Sequence, residues 1–344
     1  MSLSTASVPP PWRLQWDCGS AEVQALGAML GPVSFRLDAG IELQVMHVAP
    51  WAGKTWAQSL PGVLRRLRGE WPCVPFGLTD PPADLPADWE ALVPDDDWPH
   101  GYAANHTWTC EHADARQVLL SIAYPETAPI ERLERRIQAV AGEAALDISL
   151  VIHPRRSLRL PVGLHPTFQL PPAGGRVRLQ LGSHEGIFTY PSRSAGEITR
   201  LQPDQRGASL DAMPGLLGPI DLSRLPLRVD SEELLQVRGL GPDAGEAPLR
   251  LHYLDQGASL GLWWDTTELP DLLLWMSNRG RLDFPWQGRH VALGAEPVNS
   301  VFDLGRIARP PAGHPLADRL GIELQAGQPW TTRYRIAARQ EATF

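Results

Sequence analysis

Apolar and polar residues alternate with a period of two in one segment after another of this chain. No other feature of the sequence restricts its fold as much. In "ALDISLVI" Leu146, Ile148, Leu150 and Ile152 alternate with Asp147 and Ser149, and in "RVRLQL" Val177, Leu179 and Leu181 alternate with Arg176, Arg178 and Gln180. "PLRLHYL" repeats the pattern with Leu249, Leu251 and Tyr253, and "WTTRYRI" with Trp330, Thr332, Tyr334 and Ile336. Successive side chains of a strand point to opposite faces, so this period marks half-buried antiparallel strands. The intervening segments hold many of the 34 prolines and 31 glycines, the punctuation of turns and long loops. Only short pieces such as "PGVLRRLR" (Pro61 to Arg68) read as helical, and no strand–helix–strand rhythm calls for a parallel sheet. No internal repeat or linker divides the chain, and Pro81 to Pro99 reads as a long surface loop. The expectation is an all-β protein, one large antiparallel β-sandwich domain over residues 1–344, with residues 1–11 as a disordered tail.

Composition excludes several kinds of function. The formal charge is −8, with both signs interspersed, which argues against nucleic acid and anionic membrane as partners. No apolar run approaches the roughly 20 residues of a membrane-spanning helix. The opening "MSLSTASVPPPW" lacks the basic and apolar regions of a secretion signal. Cys18, Cys73 and Cys110 form no C-x-x-C pair and fit a reducing compartment, so a cytoplasmic location is expected.

Several possible sites carry little chemistry. His100, His106 and His112 recur every six residues, but six strand residues span about 20 Å, whereas zinc holds imidazole nitrogens at roughly 2.0–2.1 Å. No metal site is expected from them. "GLGPDAG" (Gly239 to Gly245) misses the dinucleotide spacing, and Pro242 removes an amide that a phosphate would use. Without a G-x-S-x-G elbow an α/β hydrolase is not indicated, and Asp95, Asp96 and Asp97 read as a solvated acidic run. Three other stretches each place an ionisable residue beside Gly or Pro at an expected strand end: "DWPHGYAANHTW", "LPVGLHPTF" and "ALGAEPVNS". Together they supply two imidazoles and a carboxylate, enough to move protons without a cofactor.

These stretches resemble the aldose 1-epimerase (galactose mutarotase-like) family, in particular its shorter, divergent members. The family's His-Gly-aromatic segment followed by Trp is matched by His100, Gly101, Tyr102 and Trp108. Its Gly-x-His-Pro-x-Phe segment is matched by Gly163, His165, Pro166 and Phe168, and its Gly-x-Glu-Pro segment by Gly294, Glu296 and Pro297. "LRGEWPCVPFG" (Leu67 to Gly77) and "LQAGQPWTTRYRI" (Leu324 to Ile336) are fainter echoes, so the similarity runs from about residue 20 to the end. The resemblance implies a galactose mutarotase-like supersandwich that binds a monosaccharide and interconverts its α and β anomers, with no cofactor. By matching position Glu296 is the base, His165 the acid, and His100 a positioning or assisting group, solvated values near 4.3 and 6.5 serving as starting points.

The departures from the pattern bear on substrate. Relatives often carry Arg where this chain has Leu78, and again where Ala103 and Ala104 lead to Asn105; Thr167 replaces an aromatic. Losing two arginines favours an unphosphorylated aldose over a sugar phosphate. Asn105, Trp275, Asp230 and Arg281 are the expected substrate contacts, with Trp98, Trp108, Trp286 and Arg289 as neighbours. A monosaccharide is the expected partner, for a monomer or homodimer. A non-catalytic carbohydrate-binding module and a hexose-6-phosphate 1-epimerase are the alternatives.

Overall fold

In the computed structural model, which describes residues 10–94, 96–193, 198–243 and 246–341, all four alternating segments are strands. They span Ala145–Pro154, Val177–Leu181, Leu249–Tyr253 and Trp330–Gln340. All four lie in a single antiparallel sheet of nine strands among the described residues. The phase of the alternation is the one expected, since Leu146, Ile148, Leu150 and Ile152 are buried and Thr332, Tyr334 and Ile336 join them from the neighbouring strand. The fold is nearly all-β, with little helix, as the period required.

The second sheet, of eight strands among the described residues, has no clear alternation because its central strands are buried on both faces. Those strands are Ser231–Arg238, Asp271–Asn278 and Val291–Asn299. Parity divides their side chains between two environments. Leu272, Leu274 and Met276, with Leu293 and Ala295, belong to the core between the two large sheets. Leu273, Trp275 and Val298 point the other way, into a second apolar cluster built around Trp51, Trp71 and Phe76. Glu296 is on this second face, one position from Ala295. The core therefore fixes the face to which the carboxylate is delivered.

An N-terminal sheet of four strands among the described residues, Trp12–Trp16 to Glu42–Gln44, contributes Leu14, Trp16, Val33 and Phe35 to the main core. "PGVLRRLR" forms a single 3-10 turn, Gly62–Arg66, and a short α-helix not anticipated from the sequence spans Tyr102–Asn105. Residues 81–94 and 96–99 are mostly exposed, as expected of a surface loop, with Trp89 buried as its anchor. Glu90–Ala91 pairs with Ala308–Arg309, Arg306 binds the carbonyls of Asp96 and Trp98, and Asp97, Trp98 and Pro99 wall the cavity described below. Residues 1–9 of the expected tail, Asp95 of the acidic run and Gly245 of the glycine-rich stretch lie outside the described residues. No helix among the described residues is long and apolar enough to cross a membrane.

Candidate active site

The histidine between glycine and proline owes its place to strand register. Val162 pairs with Asn299 and Gly163 with Val298; beyond a break at Pro166, Thr167 pairs with Gly294. The same register carried through the break sets His165 opposite Glu296. The imidazole Nε2 lies 3.4 Å from Glu296 Oε1, and both side chains are buried. Proline is suited to the break: it has no amide to leave unpaired, while its carbonyl accepts the amide of Ala295. Gly163 is needed for close packing, as a Cβ there would meet Phe76 at 2.5 Å.

Each ring position of His165 is controlled. Trp71 stacks on one face at 4.0 Å between ring centroids, and Thr167 Oγ1 lies 3.3 Å from Nδ1. His100 meets the ring edge-on at 5.1 Å and Trp275 at 6.1 Å. His100 itself has φ 59°, a left-handed conformation that non-glycine residues rarely adopt, and its amide donates to the Gly77 carbonyl. Its Nδ1 is buried with no hydrogen-bond partner. His100, His106 and His112 occupy a turn, a helix end and a strand, so they do not share one strand face.

Burial dominates the electrostatics, and the solvated starting values inferred from sequence do not apply. It pushes the Glu296 carboxyl well above its usual range, with Asp303 adding to the rise. It holds His165 well below the usual imidazole range, with His100 contributing, and lowers His100 to about 4. A buried charge lacks water to stabilise it, so each group favours its neutral form.

The pair opens into a cavity of about 470 Å³, a size suited to a small organic ligand. Trp71, Trp98, Trp275 and Trp286 line it, together with Arg281, whose guanidinium lies 4.8 Å from the Trp286 ring centre. Trp275 is held at both ends: its Nε1 donates to Glu232 Oε1 at 2.6 Å, and His290 stacks on its ring at 5.3 Å. Trp108 is instead a core residue bonded to the Ala103 carbonyl, and Arg289 binds Gln287 and the Pro285 carbonyl without lining the cavity.

Two expected contacts change role. Asp230 lies outside the cavity, exposed and paired with Arg279 at 2.7 Å, because the strand that reaches the site begins one residue later. Glu232, two positions on, is the acid that reaches inward, lining an adjoining cavity of about 100 Å³. Asn105 lines the main cavity, but its amide donates to the Pro99 and Gly101 carbonyls and accepts the Val63 amide, so it ties the wall together. Sequence reading also missed Trp71 and Asp303. The "GEWP" echo was the only available signal for the first, and nothing in the sequence marked the second. No group of three or more potential metal ligands occurs among the described residues.

No protein-family model and no curated protein matches this sequence. Solved structures do match. A GalM/aldose epimerase homologue from C. elegans superposes with a TM-score of 0.63 at 12% identity, covering 97% of this chain and 99% of its own. A galactose mutarotase related enzyme from Lactobacillus acidophilus gives 0.59 at 15% identity, covering 96% and 98%. The chain has the galactose mutarotase-like fold. A galactose mutarotase-like protein from Lactobacillus casei, at a TM-score of 0.56, 15% identity and coverage of 96% and 100%, agrees. In this galactose mutarotase-like fold the three motif stretches, far apart in sequence, meet at one cavity.

The glycine of "GAEP" has a steric reason that makes a prediction. A Cβ on Gly294 would lie 2.6 Å from Glu296 Oε1 and 3.0 Å from Trp275 Cβ. The carboxylate is the free end of a flexible side chain and can swing aside, whereas the chain cannot. Gly294→Ala is therefore expected to fold with a loss of about 1–3 kcal/mol, the range for one extra carbon in a packed interior. Catalysis should fall at least about tenfold, since small displacements of reacting groups are costly. Thermal melts alongside steady-state rates check both halves.

Proposed function

We propose that the protein is a cofactor-independent isomerase of the aldose 1-epimerase type, interconverting the α and β anomers of an unphosphorylated aldose. The observation that carries this reading is the 3.4 Å approach of His165 Nε2 to Glu296 Oε1 at the wall of a cavity lined with tryptophans. Ring opening of a cyclic sugar moves protons between two oxygens bonded to the same carbon, so it calls for two proton-transfer groups side by side. Passage of the pair's shared proton from Glu296 to His165 gives the carboxylate, which takes the proton from the C1 hydroxyl, and that oxygen becomes the aldehyde oxygen. The bond from C1 to the ring oxygen breaks with its electron pair, and the ring oxygen takes a proton from the His165 imidazolium. Rotation about the C1–C2 bond presents the other face of the carbonyl, and the reverse steps close the ring. His100, edge-on to His165, positions it. Tryptophan rings can stack on the C–H face of a pyranose.

Against a sugar phosphate stand Leu78, an apolar residue on the cavity wall, and the acids Asp97, Asp303 and Glu296 around it; Arg281 is the cation that lines it. The reaction is tested by NMR exchange spectroscopy on anomer mixtures of glucose and galactose, with and without protein. Exchange no faster than in buffer for every aldose tried would reject the reading.

The buried pair also sets the pH dependence. A carboxylate with an imidazolium holds the same number of protons as a carboxylic acid with a neutral imidazole, so the pair titrates as a unit. His165 is lowered well below 6.5, so the pair gains a further proton only at correspondingly low pH. Glu296 is raised well above 4.5, so the pair's shared proton is lost only at correspondingly high pH. The expected kcat/KM profile is a plateau through neutral pH, with both limbs displaced outward. Limbs near 4.5 and 6.5, the values for solvated groups, would show that other residues control the rate.

A further inference from the structure

We infer that the preferred substrate is an aldose bearing an apolar substituent in place of, or upon, one of the hydroxyls remote from C1, rather than a fully hydroxylated hexose. The inference rests on the epimerase reading and narrows it to a substrate class. A hexopyranose brings several hydroxyls into the cavity, and each one buried without a partner weakens binding. Once Glu296 and His165 engage the anomeric end, one lining segment has no polar side chain to offer. Pro61, Val63, Leu64 and Leu67 are its lining residues. Asn105, the one amide beside them, is already committed to Pro99, Gly101 and Val63. Leu78, Leu234 and Leu273 are further aliphatic residues of the lining.

The aliphatic segment is built rather than incidental. Trp51 Nε1 donates to the Leu64 carbonyl at 2.8 Å, and the Val63 amide donates to Asn105 Oδ1 at 3.2 Å, so the 3-10 turn that carries both side chains is fixed through its backbone. Two exposed aromatics lie in the segments that carry lining residues. Trp56 and Phe284 are 40% and 58% exposed, with ring centroids 5.1 Å apart. Trp56 is on the turn Thr55–Ser59, just before Pro61, and Phe284 lies between the lining residues Arg281 and Trp286. An exposed aromatic pair in the two segments that wall the cavity suits a substituent longer than a methyl group.

The test compares D-glucose, 6-deoxy-D-glucose, and the 3-O-octyl and 6-O-octyl ethers of D-glucose, all with C1 free and all below micelle-forming concentration. NMR anomer exchange gives kcat/KM, and calorimetry gives affinity. At least one apolar derivative is expected to exceed glucose about tenfold in kcat/KM, equivalent to roughly 1.4 kcal/mol. Leu64→Asn should shrink that ratio, and Trp56→Ser with Phe284→Ser, both on the surface, should shrink it for the octyl ethers more than for 6-deoxyglucose. Glucose turned over as well as or better than every derivative overturns the inference and leaves the epimerase reading standing. Tight binding of an octyl ether with no exchange of any sugar supports the apolar specificity and rejects the epimerase chemistry. Neither binding nor exchange across the series overturns both.

Discussion

Glu296→Gln is expected to lower kcat by roughly 10²–10⁴-fold, the range for removing a general acid or base, while sugar affinity changes little. The amide keeps the volume and one acceptor oxygen of the carboxylate, so Gly294, which leaves room for it, need not move. It cannot take the C1 hydroxyl proton. Loss of an interaction made in the transition state appears in kcat rather than in ground-state binding. Stability should hold or rise, because burial drives the wild-type carboxyl well above its usual range and ionising it in that site is unfavourable. Anomer exchange, calorimetric affinity and a thermal melt on one preparation separate these effects. A variant with more than a tenth of wild-type kcat would remove Glu296 from the role of base. A variant that loses affinity in parallel with rate would make it a binding group instead.

How far sequence alone reached depended on what each residue's signal was made of. The nine-stranded sheet was legible because its strands are half-buried, as in Leu146, Ile148, Leu150 and Ile152 against Asp147 and Ser149. The strand "DLLLWMSN" has core on one side and the apolar cluster beneath the cavity on the other, and burial on both faces erases the period. Glu296 and His165 could be proposed because glycine and proline beside an ionisable residue leave a local trace. The structure supplies the reasons: room for a carboxylate at Gly294 and a ladder break at Pro166. Partners brought in by tertiary packing left no such trace. Trp71 reaches His165 from another strand connection, and Asp303 comes from beyond the end of the Glu296 strand. Asp230 and Glu232 have the same parity, and only the pairing of Ser231 with Asn278 shows where the strand begins and hence which acid turns inward. Asn105 looks like a sugar ligand until its amide is seen to be fully engaged by the backbone.

The second large effect lies beneath the site, where Glu70 and Arg135 form an ion pair with both side chains fully buried. Arg135 belongs to the strand Ile130–Ala139, third from one edge of the nine-stranded sheet. Glu70 bridges to Leu30 of the N-terminal sheet through both backbone hydrogen bonds, and the next residue, Trp71, stacks on His165. The pair thus joins three elements beside the tryptophan that stacks on His165. Arg135→Met leaves a buried carboxylate without its cation and is expected to destabilise the fold by about 3–5 kcal/mol, the range for breaking a buried pair from one side. Replacing both partners, Glu70→Leu with Arg135→Met, removes the stranded charge and should restore most of that loss, since apolar substitution of a whole pair is often neutral or stabilising. Urea denaturation of the wild type, both single variants and the double variant gives the coupling energy directly. If the pair acts only as scaffold, the double variant should also recover anomer exchange along with stability. Recovered stability without recovered exchange would instead mean that this buried charge tunes the His165–Glu296 pair through the protein interior, a longer reach than contact geometry alone requires.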